Sequence, residues 1–338
     1  MNIATVGLDV AKQVFQVHAA DLEGRVVLRR RLRRNQVINF FANLPACVVG
    51  MEACCGSHYW CRRISSFGHT VRLMAPQFVK PYVKSNKNDA NDAEAICEAV
   101  RRPNMRFVPA KSVEQQDIQS LRRVRSRLVS LRTGLANQIR GLLSEYGIVL
   151  PQYVSQLRRG LPLILEEASN GLTAFSRRLF ASLYDELLSL EEKIGVLDEQ
   201  IESVYRASEP CQRVGAVEGI GPLTATALVA AMSDGKAFKN GRQFAAWLGL
   251  VPRQGSSGEK TRLFGISKRG DTYLRTLLIH GARAVVCRAS RKTDPRSRWI
   301  ADKQVRLGTS KACVAVANKN ARIVWSLIAR QETYRRAA

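Results

Sequence analysis

The feature that most restricts what this chain can fold into is a set of three alternating apolar bursts within residues 3–33. They read IATVGLD, QVFQVHAAD and RVVLRRRLR. Alternation at period two puts one face of an extended strand toward a core and the other toward water. The breaks, at Asp9–Lys12 and Leu22–Gly24, leave room only for tight turns. The stretch therefore predicts a three-stranded antiparallel meander.

The pattern then changes. A helical stretch at Gln36–Asn43 precedes a buried strand, ACVVGME at 46–52. A helix over about 57–67, a strand TVRLMA at 70–75 and a helix beginning near Asp89 follow, with Pro76 and Pro81 as punctuation. Three antiparallel strands followed by strand–helix alternation is the order of an RNase H-like α/β domain, expected over residues 1–110. With 338 residues and 46% hydrophobic content, the chain has length for further domains.

A helical coiled-coil region is expected over 111–210. Leu121, Val124, Leu128, Leu131, Leu135 and Leu142 keep a 3–4 spacing broken only by Gln138, and a second set runs Leu187, Leu190, Ile194, Leu197, Ile201 and Val204. Between the first set lie Arg122, Arg123, Arg125, Arg127, Arg132 and Arg140 without a carboxylate, a face suited to phosphate; the second helix has a mainly acidic outer face. The two helices pair with each other or with those of another copy. A mainly α domain is expected over 211–338. Its segment VGAVEGIGPLTATALVAAM has a Gly219–Ile220–Gly221 turn between helical patterns, as in a helix–hairpin–helix that offers backbone N–H groups to phosphate. The tail, about 270–336, is helical and basic.

Composition narrows the partner. Lys and Arg number 53 against 28 Asp and Glu, a formal net charge of +25. Such an excess calls for a polyanion, and Lys and Arg displace the counterions condensed on nucleic-acid phosphates. A membrane is excluded as the partner because no apolar run approaches about 20 residues and no secretory leader is seen. The expected location is the cytoplasm. The eight cysteines form no CxxC pair and the four histidines are scattered, so neither a disulfide framework, a zinc knuckle nor a His-based metal site is expected.

Acids in apolar strands are the chemical signal. Asp9 ends the first strand (VGLDVAK) and Glu52 the fourth (VVGME), while Asp89 and Asp92 lie three apart at a helix start in NDANDAEA. In an RNase H topology those four converge. Clustered carboxylates raise one another's pKa unless cations compensate. Two Mg²⁺ ions about 4 Å apart would compensate, clamping the attacking and leaving oxygens of a phosphodiester; Mn²⁺ is the alternative ion. Lys12 and Lys87 would flank that phosphate. Singly, Asp9 also suits a hairpin turn, and Asp89 or Asp92 a helix cap. A second candidate is the loop GLVPRQGSSGEKTRLFGISKRGD (249–271), Gly-rich and basic through Arg253, Lys260, Lys268 and Arg269, with Ser256 and Ser257 adjacent. No local His or Asp activates either serine.

The ordered set of motifs resembles transposases of the insertion sequence 110 family, including its insertion sequence 1111 branch, and the related Piv DNA invertase. It comprises GLDVAK (7–12), MEACCG (51–56), KNDANDA (87–93), EGIGPLTA (218–225), FAAWLGLVPR (244–253), SSG (256–258) and SKRGD (267–271). The resemblance implies a RuvC-like N-terminal domain whose DEDD tetrad, here Asp9, Glu52, Asp89 and Asp92, binds Mg²⁺. It implies a C-terminal serine, just before a glycine, that attacks DNA to form a covalent phosphoserine link; this matches Ser257, although Ser256 adds a second serine. Ala53, Cys54 and Cys55 replace the ATG-like residues that follow the glutamate in the family. Also implied are DNA partners (element ends and target), an element-encoded guide RNA, and a homodimer or homotetramer. The competing expectations are a RuvC-like junction nuclease using water, and a non-catalytic nucleic-acid-binding protein.

Overall fold

A computed structural model describes residues 2–84, 88–257 and 260–335. The chain forms two compact units, Met1–Gln115 with Met232–Ala237, and Gln116–Ala231 with Phe238–Ala338.

The first unit is built on a mixed sheet. Strands β1 (Thr5–Val10), β2 (Val14–Ala20) and β3 (Val26–Arg33) form the expected meander; β4 (Val48–Glu52), β5 (Thr70–Met74) and the two-residue β6 (Phe107–Val108) complete the order β3-β2-β1-β4-β5-β6. β1, β4 and β5 run parallel, whereas β2, β3 and β6 pair antiparallel with their neighbours. Helices α1 (Val37–Ala42), α2 (Ser57–Ser65) and α3 (Pro76–Val79) lie between strands, and α4 (Asp89–Val100) follows β5.

Alternation along β1 sends its apolar side chains to one face of the sheet. Val6 and Leu8 join Phe15, Phe41, Met51, Trp60 and Ile64 in a core shared with α1 and α2. Gly7 faces α4, and so does its neighbour Gly50 on β4. A methyl on Gly7 would stand 2.5 Å from the Cys97 amide nitrogen, and one on Gly50 would stand 2.8 Å from the Val100 Cβ. Glycine in these two strands thus makes a seat for a helix whose buried residues are Ala93, Ala95, Ile96, Cys97, Ala99 and Val100. Asn88 caps α4, its side chain accepting from the Ala90 N–H at 3.0 Å.

The second unit is mainly helical. α5 (Val113–Ser144), α6 (Val154–Glu166) and α7 (Ala174–Ala207) share a core of Leu128, Leu135, Ile139, Leu143, Leu157, Leu161, Phe180, Leu187, Leu190 and Ile194. On α7 the buried seam is the one expected from sequence. On α5 it is rotated: Ile139 and Leu143 are buried, whereas Val124, Leu131 and Leu142 are exposed. Leucines and valine lie on two neighbouring stripes of this helix, and packing against α6 and α7 uses one of them.

Next come α8 (Glu209–Gly215), α9 (Pro222–Met232) and α10 (Gly241–Trp247); α11 (Thr272–Ala289), α12 (Pro295–Leu307) and α13 (Thr309–Ala329) end the chain. The segment expected to be a loop between α10 and α11 is instead an antiparallel ribbon, β7 (Pro252–Ser257) and β8 (Lys260–Ile266). Gly255 and Gly265 interrupt the alternation that would have marked it, although Gly255 has its own reason: a Cβ there would press on the Phe264 ring at 2.9 Å. All eight cysteines are free. Burial pushes the Cys47 and Cys97 thiols up to about 11. Among the described residues no helix is long and apolar enough to cross a membrane.

Candidate nucleic-acid cleavage site

The first group of candidate residues lies at the carboxyl ends of β1 and β4. The two strands pair in parallel, Thr5 with Val48 through Leu8 with Met51. Asp9 and Glu52 are the next residues on each strand. They have the same parity as Gly7 and Gly50, so both side chains are on the sheet face that α4 covers. The direction of α4 brings its own acids to the same end. Ala93 packs at Gly7, and farther along the helix the Cys97 thiol reaches back to the Thr5 carbonyl at 3.9 Å. α4 therefore runs against β1, with Asp89 and Asp92 in its first turn toward the Asp9–Glu52 end. Asp9, Glu52 and Asp92 are partly buried and Asp89 is exposed.

Electrostatics agree with that placement. The Cys54 thiol is held above its ordinary pKa, first by burial and then by the negative charges of Asp9 and Glu52. The helix N-terminus also favours negative charge at Asp89 and Asp92. All four donors are carboxylates, which suits a hard, oxygen-preferring divalent cation. They are aligned rather than assembled: among the described residues, no three His, Cys, Asp or Glu side chains are close enough together to hold a metal ion. Of the flanking cations, Lys12 is exposed just past β1, and Lys87 lies outside the described residues.

The second group is on the ribbon. Ser257 pairs with Lys260, Ser256 with Thr261, Gly255 with Arg262 and Gln254 with Leu263. Adjacent residues of a strand point to opposite faces. Ser257 thus shares a face with Lys260, Arg262 and Phe264, and Ser256 shares the other with Gln254, Thr261 and Leu263. Arg253 and Arg262 both stack on the Phe264 ring, 5.7 and 5.2 Å from its centroid. The Gln254 side chain donates to the Ser256 hydroxyl at 2.8 Å. Arg262 and Phe264 escaped sequence reasoning because the segment read as a loop; an Arg-x-Phe alternation is the signal that was there.

Close backbone packing fixes the base of the ribbon. Gly270 leaves no room for a side chain beside the Trp247 carbonyl, nor does Gly249 beside Arg269. The buried Arg275 donates to the Leu248 and Arg269 carbonyls, both at 3.0 Å. Lys260, Arg253, Lys268 and Arg269 remain exposed around it.

The arginine face of α5 is only partly as expected. Arg123 and Arg127 are exposed and Arg132 is half-buried. Arg122 is only 6% exposed, stacks on Tyr273 at 5.1 Å and faces the Asp271 carboxylate at 3.7 Å. Arg125 forms a two-pronged pair with Asp198 of α7. Arg122 is turned to the protein interior, Arg125 is half-buried, and acids distant in sequence engage both. The Gly219–Gly221 turn joins α8 to α9 as expected. Gly219 has φ +86° and packs back-to-back with Gly281 of α11, whose carbonyl would lie 2.7 Å from a Cβ at 219; Gly221 faces open space. Glu218 beside it pairs with Lys292 and Arg296, and Asn320 donates to its carbonyl at 3.0 Å.

Comparison with known proteins agrees with this layout. Residues 6–148 match the DEDD transposase model of the IS110 group, and residues 211–298 match the model described as "Transposase IS116/IS110/IS902 family". The chain is 54% identical to the "Probable family 20 transposase" of Pseudomonas aeruginosa, over 99% of each chain. It is 49% identical to the transposase for insertion sequence element IS1111A of Coxiella burnetii, over 99% of this chain and 92% of that one. With the transposase for IS1328 of Yersinia enterocolitica it shares 40% identity over 96% of each. With matching models in both units and relatives this similar over their whole length, the chain belongs to the IS110 family of insertion-sequence transposases, whose activity is cleavage of DNA and transfer of its strands.

Proposed function

We propose that this transposase cuts and rejoins DNA through a covalent phosphoserine intermediate at Ser257, aided by divalent cations, Mg²⁺ or Mn²⁺, at Asp9, Glu52, Asp89 and Asp92. The observation that carries the reading is the alignment of Asp9 and Glu52 on the α4-covered face, at the end where α4 begins with Asp89 and Asp92. The strand order 3-2-1-4-5 within this sheet supports a RuvC-like domain. A cation held there would offset the charge that builds on the phosphate under attack. Ser257 Oγ attacks phosphorus, the bond to one deoxyribose oxygen breaks, and that oxygen leaves with a proton. The resulting phosphoester keeps the energy of the broken bond, so a second strand's hydroxyl can displace the serine without ATP.

The face that Ser257 shares with Lys260 and Arg262 suits an anionic substrate, which Ser256 on the other face lacks. We assign Lys12, Lys87, Arg123, Arg127, Arg132, Arg253, Lys260, Lys268 and Arg269 to nucleic-acid contact. We read the α8–α9 turn as a helix–hairpin–helix whose open Gly221 side approaches phosphate. Element ends and target are the DNA substrates, a guide RNA is the second partner, and the exposed Val124–Leu131–Leu142 stripe supports assembly of two or four copies.

Covalent trapping tests this. The protein is expressed with its flanking element DNA, lysates are denatured, and DNA attached to protein is probed in wild type, Ser257→Ala, Ser256→Ala and Asp9→Ala. An adduct lost in Ser257→Ala and Asp9→Ala but kept in Ser256→Ala supports the two-part site. Cleaved DNA without adduct, indifferent to both serines, means hydrolysis by water instead.

A further inference from the structure

The outer strand β3 carries an arginine row that the carboxylate site does not use. Its residues pair with β2 as His18 with Arg29, Gln16 with Arg31 and Val14 with Arg33. β2 in turn pairs with β1 as Gly7 with His18 and Asp9 with Gln16. Gly7 faces α4, so His18, Arg29, Gln16, Arg31 and Arg33 are on the α4 side as well. The ion pair between Arg29 and Glu94 of α4 at 3.4 Å fits that assignment. One cross-strand line therefore reads Arg31–Gln16–Asp9, and Glu52 follows on β4.

Strand spacing of about 4.8 Å puts Arg31 roughly 10 Å from Asp9 along this line. That is the axial rise of about three nucleotides at ~3.4 Å each. Arg31 and Arg33 are exposed on the edge of the sheet, and among the described residues neither forms an ion pair. A charged edge also discourages pairing with foreign strands, but one lysine would suffice for that.

We propose that Arg31 and Arg33 bind the sugar–phosphate backbone of DNA, within about three nucleotides of the phosphate at the Asp9–Glu52 pair. The position relative to a reacting phosphate rests on the carboxylate reading; the binding itself does not. β3 then acts as a rail that aligns one strand across the ends of β2 and β1.

The test is binding of full-length protein to labelled single-stranded DNA, and to RNA of the same sequence, over a series of KCl concentrations with EDTA present. EDTA separates the result from any failure of the cleavage mechanism. Arg31→Gln/Arg33→Gln should reduce the slope of log K against log salt by about 1.4 on DNA, since each phosphate contact with a single strand contributes about 0.7. Arg31→Lys/Arg33→Lys should keep the slope. A charge-matched control, Arg158→Gln/Arg206→Gln, removes cations already paired with Glu191 and Glu202 and should also keep it. A parental slope in the double glutamine variant, an equal fall in the control, or a fall on RNA alone overturns the proposal.

Discussion

Gly7 of β1 is packed against the backbone of α4 at Ala93, so closely that any side chain at 7 would strike the Ala93 carbonyl oxygen. This contact sets the height of α4 above the sheet, and with it the distance from Asp89 and Asp92 to Asp9. Because the obstacle is helix backbone rather than a flexible side chain, relief requires moving the whole helix. Gly7→Ala should cost about 2–3 kcal/mol, at the upper end of ordinary overpacking, read as a lower midpoint in urea. Gly56→Ala is the comparison. Gly56 has φ +84° with open space around it, so its smaller loss should come from backbone strain and leave α4 in place.

A second prediction concerns the buried guanidinium of Arg122. Burial lowers its pKa, and Asp271 opposes that shift. Its Nε and Nη1 atoms are buried without a hydrogen-bond partner among the described residues. Asp271 also caps α11, accepting from the Leu274 N–H at 3.0 Å. Asp271→Ser keeps a capping oxygen and removes the charge, so its cost isolates the pairing. We expect about 2 kcal/mol, below the 3–5 for a fully buried pair because Asp271 is partly exposed. Asp271→Ala should lose about 1 kcal/mol more with the cap. Arg122→Met should cost less than Asp271→Ser, since the charge it leaves alone, Asp271, is partly exposed and sits at a helix N-terminus. Urea melts of the three variants decide it.

The differences between sequence and structure have a common physical origin. The succession of the first five strands, the two strand-end acids and the start of α4 near Asp89 were legible because they depend on local alternation and capping. What Gly7 and Gly50 do was not, since a glycine in a strand reveals nothing of the helix that will lie on it. The burial of Arg122 was hidden for the same reason: its acid is on α11, far away in sequence. On α5 two apolar stripes competed, and only the position of α6 and α7 decides that Ile139 rather than Leu142 is covered. The division of Ser256 and Ser257 between faces required the register of the ribbon.

His18 should make stability sensitive to acid. It is buried on β2, and burial lowers its pKa from the ordinary 6.5; Arg29 and Lys84 push the same way, and Glu94 opposes them. The unfolded chain therefore binds a proton more readily than the folded one. The contribution is complete above about pH 6.5, the unfolded value, and falls as the pH drops toward the folded one. His18→Gln should flatten that part of a plot of melting temperature against pH. A variant curve parallel to wild type down to the acid limit would show that His18 does not drive the loss.

The last prediction uses the two faces of the β7–β8 ribbon. Arg262 and Thr261 are adjacent on β8, yet Arg262 is on the Ser257 side and Thr261 on the Ser256 side. If Ser257 attacks a phosphodiester, the guanidinium beside it, steadied on Phe264, is placed to hold the phosphate oxygens. A charge-assisted hydrogen bond is worth roughly 1.5–3 kcal/mol, so Arg262→Gln should lower the rate of adduct formation about tenfold to a hundredfold. Phe264→Leu, which removes the ring under both Arg253 and Arg262, should give a smaller loss in the same direction. Thr261→Val should stay within about twofold of wild type, a change of under 0.5 kcal/mol. The rate of adduct accumulation after mixing with element DNA separates the cases. Equal losses for Thr261→Val and Arg262→Gln would mean that the ribbon matters only as a folded unit, with no preference between its faces.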